Sequence, residues 1–295
     1  MSLRLLLLIF WSQLFFVSVS KAEEAYEVFD SFGKHFFVSP PKRIVVTDWT
    51  LFEQLMALGV TPIGAPELAN YRSVMPFGAL PDTVADIGLR EKPKLEAIGR
   101  LSPDLIIVGT DQKQLARPLS RYARVLFYQN FSPRFDNNGL TAIKRLRQLA
   151  RVVRKEDRGE QVIAELEQTL EQGREHLRRY HDAPWAVTLL KQHPRDGYIR
   201  YSSHSIFGWV IEQLGLKNKT QIPINKFGEQ RSLALKDSEL FPGEVICLAD
   251  CALNLEGGAS AVGSSVKVVA DAWPYGGVLS MIAVAEEIVN ALTDV

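Results

Sequence analysis

A chain of 295 residues, 46% of them hydrophobic, is long enough to bury the cores of about two domains. Its 34 basic and 34 acidic side chains balance, which argues against a nucleic-acid surface, where a clustered basic excess is needed. A charged ligand must therefore be met by local residues rather than by a global field.

Residues 1–22 stand apart. Arg4 precedes the apolar runs Leu5 to Phe10 and Leu14 to Val19, and the small residues Ser20 and Ala22 occupy the positions a signal peptidase reads before Glu23. The stretch is short and interrupted by Ser12 and Gln13, which favours a signal peptide cleaved near Ala22 over a membrane anchor. No cysteine lies at this junction, so a lipid anchor has no attachment residue. Loss of Arg4 and Lys21 with the signal leaves 32 basic against 34 acidic residues, a net charge of −2.

The remaining chain alternates strand-like and helix-like segments. In residues 23–140, Tyr26 to Val38 predicts a β-hairpin, Arg43 to Val46 a strand, Leu51 to Leu58 a helix closed by Gly59, and Thr61 to Gly64 a second strand. Between Pro81 and Thr110 the chain reads PDTVADIGLREKPKLEAIGRLSPDLIIVGT. Pro93 suits a first helical turn, Leu95, Ile98 and Leu101 follow at helical spacing, and Pro103 stops the helix. Leu105 to Val108 is a bare apolar run, the pattern of a buried parallel strand, and Val125 to Tyr128 adds another.

Residues 141–183 read as a helical linker. Thr141 to Tyr180 contain no proline, and Val162, Leu166, Leu170, Gly173, Leu177 and Tyr180 share one stripe. Asp157 and Glu160 have the spacing of a capping box that starts this helix. About 24 residues at ~1.5 Å each span roughly 35 Å, the width of a domain. Two readings stay open: a peripheral helix of one domain, or a helix running from one domain to the other.

Residues 184–295 repeat the logic of the first half. Ala186 to Leu190, Tyr198 to Tyr201, Val245 to Leu248 and Val266 to Ala270 predict strands; Ile206 to Leu214, closed by Gly215, and Val278 to Leu292 predict helices. The expected fold class is α/β, with two Rossmann-like lobes of largely parallel sheet.

Binding residues are sought on loops held by such a scaffold. Arg90 lies on one, either in a surface ion pair with Glu91 or Asp86 or as a donor to anionic oxygens of a ligand. Trp273 and Tyr275 stand on the turn DAWPYGG, where large amphipathic rings suit either a core or the arms of a ligand. Five scattered histidines, among them His176 and His181 about 140° apart around a helix, give no shared metal face. Neither a G-x-x-x-x-G-K-[ST] loop nor G-x-S-x-G nor H-E-x-x-H occurs, and Ser202, Ser203 and His204 read as a polar turn before a helix. The chain is therefore not read as an enzyme. Cys247 and Cys251, at C-x3-C spacing, are equally readable as a small-loop disulfide or as free thiols.

The run from Pro81 to Thr110 resembles the corresponding segment of periplasmic binding proteins for ferric siderophores and vitamin B12, and DIGLR followed by P-x-L-E is most similar to the ferric-hydroxamate branch. The resemblance implies a periplasmic monomer whose lobes are joined by a single backbone helix. It implies a pre-chelated ferric siderophore in the inter-lobe cleft, with no protein iron ligand and no cofactor. It assigns Arg90 to the ligand, and matches Trp273 and Tyr275 to a W-x-Y-G turn. Phe227, in NKFGEQRSLAL, stands where the family brings a tryptophan; the neighbouring Arg231 reads as a second cation or a solvated loop residue. Trp49 and Tyr71, after early strands, line the cleft or pack in the core. The tyrosine expected after Leu105 to Val108 is absent, and GTDQKQ places Asp111 and Gln112 there, a departure that points away from ferrichrome and leaves another hydroxamate. Carriage of vitamin B12, haem, or a catecholate or citrate siderophore is the alternative. Glu96 in PKLEAI and Glu212 in FGWVIEQLG fall at the positions through which such proteins dock on an inner-membrane ABC permease with its ATPase.

Overall fold

The computed structural model describes residues 25–75, 80–180, 185–193, 195, 197–220, 225–232, 244–248, 266–269 and 273–293. The export segment expected at 1–22 lies outside them. Among the described residues no helix is long and apolar enough to cross a membrane.

The chain opens with a hairpin of β1 (Tyr26–Phe29) and β2 (Lys34–Phe37), paired from Tyr26↔Phe37 to Phe29↔Lys34. It covers the edge of the first sheet: Ser31 N donates to Phe127 O at 2.8 Å, and Phe127 N to Asp30 Oδ2 at 2.9 Å. That sheet contains β3 (Ile44–Val46), β4 (Gly64–Ala65), β5 (Ala85–Asp86), β6 (Leu105–Val108) and β7 (Arg124–Phe127), all parallel in the order β5-β4-β3-β6-β7. The order reverses between β3 and β6, so the loops that follow these two strands diverge and leave a crevice, the usual ligand position in such sheets. Around it stand α1 (Trp49–Ala57), α2 (Leu68–Val74), α3 (Leu95–Arg100), a 3-10 turn (Thr110–Leu115) and α4 (Ala116–Leu119).

Three local expectations shift. The strand read at Thr61 to Gly64 is confined to Gly64–Ala65. α1 starts at Trp49, because Asp48 accepts from Leu51 N at 3.0 Å as its N-cap. α3 is short, and Pro93 stands before it in a bridge with Gly88 rather than in its first turn.

The proline-free stretch is two helices, α5 (Asn138–Val153) and α6 (Glu156–Arg178), separated by Arg154 in the left-handed region at φ 55°. The Asp157–Glu160 capping box is not formed. Lys155 occupies the N-cap without a side-chain bond, and Glu160 instead takes Arg147 of α5 in a two-pronged ion pair at 2.8 and 3.0 Å. α6 has 23 residues, roughly 35 Å at ~1.5 Å each. It touches both halves of the chain: Arg158 near its start donates to Ala57 O of α1, and Arg174 near its end to Gln213 O. Gly173 lies where Leu214 and Val289 would stand 2.7 and 2.9 Å from a Cβ, so any larger residue would have to push those side chains aside. Tyr180, expected on the buried stripe, is 48% exposed because α6 ends at Arg178.

The second sheet orders β11-β9-β8-β12-β13, from β8 (Ala186–Gln192), β9 (Tyr198–Tyr201), β11 (Glu229–Ser232), β12 (Glu244–Leu248) and β13 (Val266–Val269), with β10 (Lys217–Asn218) also on β8. β10, β12 and β13 run parallel to the central β8, whereas β9 and β11 form an antiparallel margin. Helices α7 (Ile206–Gln213) and α8 (Val278–Thr293) pack with α6, and one apolar core runs continuously from the hairpin through these helices. Ser205 caps α7 by accepting from Gly208 N at 2.9 Å, so the Ser202–His204 cluster is the polar turn before a helix. Cys247 is buried on β12 and disulfide-bonded; Cys251, the other cysteine of the chain, lies outside the described residues.

The lobes are pinned together behind the crevice. Glu53 of α1, fully buried, accepts from Gly277 N, Ser280 N and Ser280 Oγ, each at 2.8 Å, and so caps α8 from the other lobe. Thr50 Oγ1 donates to Tyr275 O at 2.6 Å beside it.

Candidate functional site

The loops after β3, β4 and β5 bring Trp49, Glu67 and Arg90 together. Arg90 does not pair with Glu91 or Asp86. Its Nε donates to Glu67 Oε2 at 3.0 Å and its backbone N to Glu67 Oε1 at 3.2 Å, while Gln112 Nε2 donates to its carbonyl at 3.2 Å. Glu67 holds this position from a left-handed backbone, φ 50° and ψ 47°, which turns its side chain back over the loop. The Arg90 guanidinium carbon stands 4.0 Å from the Trp49 ring centroid and 4.7 Å from that of Trp273, a double cation–π contact. Among the described residues no acceptor holds its two terminal amino groups, and the side chain is 31% exposed.

Aromatic rings continue from this point across the lobes. Trp49 meets Trp273 at 4.9 Å, Trp273 meets Tyr275 at 4.9 Å, Tyr275 meets Phe227 at 4.8 Å, and Phe227 meets Phe131 of the first lobe at 5.1 Å. Tyr71 lies in a second layer, packed edge-on against Trp49 and Phe52, so it supports the Trp49 ring from the core side. Trp49 Nε1 donates to Pro66 O at 2.8 Å, which locks that indole. The Trp273 indole N–H is buried and finds no acceptor among the described residues. The turn before β11 aims Phe227: Asn225 Oδ1 accepts from Phe227 N at 2.9 Å and Glu229 N at 3.1 Å, and Gly228 takes φ 79°.

Charges line the same cup. Tyr275 donates its hydroxyl to Glu229, whose other oxygen accepts from Asn225 at 2.8 Å; burial first, and then the Glu229 charge, push the Tyr275 phenol well above its ordinary range. Asp48, the N-cap of α1 next to Trp49, accepts from Leu51 N and Asn130 Nδ2, both at 3.0 Å. Burial, reinforced by Asp111, pushes its carboxyl up to about 6 against the pull of Arg90 and the Leu51 N–H. Lys226 of the second lobe pairs with Asp111 of the first.

Of the residues nominated for the ligand, Arg90, Trp49, Trp273, Tyr275 and Phe227 meet in one constellation, with Tyr71 behind it. Arg231 projects from β11 two residues past Glu229 and is exposed. Phe131, Glu67, Glu229 and Asp48 belong to the site and were not nominated. Asp48 had a legible signal, an aspartate three residues before the first apolar position of a helix; the others had none. Glu96 is exposed on the first turn of α3, 3.9 Å from Arg121, at the rim of a cavity of about 810 Å³ that also includes Leu89 and Pro93. Glu212 is exposed on α7 of the other lobe. No cluster of three or more His, Cys, Asp or Glu side chains suited to a metal ion occurs among the described residues.

A family model described as periplasmic binding protein matches residues 44–233. The Escherichia coli (strain K12) iron(3+)-hydroxamate-binding protein FhuD is 27% identical over 205 residues, 68% of this chain and 68% of its own. The Bacillus subtilis (strain 168) Fe(3+)-citrate-binding protein YfmC is 23% identical over 197 residues, 66% of this chain and 60% of its own. The crystal structure of Vibrio cholerae siderophore-binding protein FhuD with Fe3+–Desferal superposes with TM-score 0.74 at 29% identity, covering 85% of this chain and 97% of that one.

Proposed function

Because this chain belongs to the periplasmic binding protein family, we propose that it captures a ferric siderophore of hydroxamate type between its lobes and hands it to an inner-membrane ABC permease with its ATPase. The observation that carries this reading is the state of Arg90: oriented by Glu67 and flattened on Trp49 and Trp273, it keeps both terminal amino groups for an outside acceptor. A guanidinium so held donates charge-assisted hydrogen bonds to oxygens that already share their charge with iron. The rings of Trp273, Tyr275 and Phe227 then cover the aliphatic arms of the chelate. Iron arrives with its coordination shell filled, so the protein supplies none of its ligands. The similarity to iron(3+)-hydroxamate-binding FhuD of E. coli and to the Desferal-bound V. cholerae protein supports hydroxamate over citrate, whose matching relatives are either less identical or matched over a shorter stretch.

Delivery follows from exposed Glu96 and Glu212, one on each lobe, as electrostatic docking points for the permease. The chain acts as an exported monomer, released near Ala22. Titration of the mature protein with a ferric trihydroxamate, a ferric tricatecholate, ferric citrate, cobalamin and haem, followed by tryptophan quenching, tests the ligand class. Saturable quenching by the trihydroxamate supports the reading; its absence, with saturation by another of the five, overturns it.

A further inference from the structure

The cations Arg90 and Lys226 of the cup each have a carboxylate beside them. Arg90 is matched by Glu67 at 3.0 Å, and Lys226 by Asp111. Glu229 adds a negative charge behind the Tyr275 hydroxyl, with only the neutral amide of Asn225 on its second oxygen, and Asp48 adds a carboxyl next to Trp49, the ring on which Arg90 lies. Even with Arg231 counted, two residues beyond Glu229 on β11, three cations face four carboxyl groups among the described residues. Charge matching of this kind fixes geometry without creating a positive field.

An iron chelate with three catecholates carries a net charge of about −3, and its capture in a partly dehydrated cup needs cations in excess of carboxylates. A ferric trihydroxamate carries no net charge at the metal, and a pendant ammonium makes it a monocation. From this charge compensation we infer that the cup selects ferric chelates that are neutral or cationic overall and rejects anionic ones, with Glu67 and Glu229 as the specificity-determining residues. The inference rests on the trihydroxamate reading above and adds net charge as its discriminating property. Glu67 acts by holding Arg90 as a directional donor while cancelling its charge; Glu229 acts by turning the Tyr275 hydroxyl away from the role of free donor and placing a negative charge behind the ring.

The test keeps the iron-binding groups constant and changes only net charge. Ferric desferrioxamine B with its free ammonium, its N-acetyl derivative and its N-succinyl derivative carry +1, 0 and −1. Dissociation constants are measured for wild type, Glu67→Gln and Glu229→Gln at low and at physiological salt. In wild type the succinyl form binds more weakly than the ammonium form by about tenfold at low salt, the scale of one to two unit charges acting over ~10 Å in a high effective dielectric, and salt compresses the gap. Each glutamine variant narrows that cation-to-anion ratio by about threefold to fivefold, a change that a merely structural defect, which weakens all three ligands alike, does not produce. Equal binding of the three forms by wild type, or a ratio unmoved in both variants, overturns the inference. Failure of all three forms to bind removes the trihydroxamate reading itself, and the inference with it.

Discussion

Glu53 links the two lobes through a buried side chain. Its carboxylate takes three donors from the start of α8 at 2.8 Å, 224 and 227 positions along the chain, with no exposure to water. Hydrogen bonds to a charged acceptor contribute about 1.5–3 kcal/mol each, but burying the charge opposes this by several kcal/mol, so the net effect is far below their sum. Glu53→Ala removes the acceptor and leaves three buried donors unsatisfied, which costs about 3–5 kcal/mol. Glu53→Gln keeps one oxygen and turns an amide N–H₂ toward the remaining donors, for a loss of about 2–3 kcal/mol. At roughly 3 °C per kcal/mol for a chain of this size, the alanine variant melts about 10 °C below wild type. Urea unfolding followed by tryptophan fluorescence and by far-ultraviolet circular dichroism gives the free energies. Coincident transitions in wild type and a Glu53→Ala loss below 0.5 kcal/mol would refute the claim that this carboxylate holds the lobes together.

The remaining expectations concern the cup and its delivery. Asp48 has its folded-state pKa raised from 3.8 to about 6, so the native state binds the extra proton and stability falls as pH rises from about 4 to 6. Because Asp48 keeps partial contact with water, Asp48→Asn, which preserves the cap acceptor, gains about 1–2 kcal/mol at pH 7.5 rather than the ~3 the full shift implies; the gain vanishes near pH 4 in a thermal-melt series, and a constant gain across pH contradicts it. Gly228→Ala meets both a positive φ of 79° and the Ser205 backbone, so it costs about 2–3 kcal/mol and displaces Phe227 and Glu229. Calorimetric stability within 0.5 kcal/mol of wild type excludes that strain. Reversal of Glu96 and Glu212 to lysine leaves ligand affinity unchanged and abolishes growth on the ferric siderophore as sole iron source; normal growth at wild-type expression assigns docking to other residues.

The parts legible in the sequence are those governed by local pattern. Leu105–Val108 is the four-residue strand its apolar run predicts, and the turn carrying Trp273 and Tyr275 leads into the final helix as read. The stripe of α6 and its start beside Asp157 are legible, within one residue of the observed Glu156, whereas the left-handed Arg154 before it is not, since nothing in RKED announces that conformation. The spacing of Asp157 and Glu160 suggests a capping box that does not form, because Arg147, thirteen residues earlier on the neighbouring helix, offers Glu160 a bidentate partner that local spacing does not display. Glu67 was invisible for a similar reason. Its role depends on a left-handed backbone and on Arg90 lying 23 positions away, neither encoded in a short motif. Phe131 joins the cup only through its contact with Phe227 of the other lobe, and Glu229 through Tyr275, 46 positions along the chain.

The central claim is that Arg90 presents its free amino groups to a ferric trihydroxamate held against Trp49, Trp273 and Tyr275. Titration of wild type, Arg90→Ala and Arg90→Lys with ferric desferrioxamine B, followed by tryptophan quenching, tests it most directly. The account predicts that alanine weakens binding by about 1.5–3 kcal/mol, the scale of hydrogen bonds to a charged group, and that lysine, lacking the planar fork, recovers little of it. Equal affinities for wild type and Arg90→Ala, with both proteins folded, would contradict it.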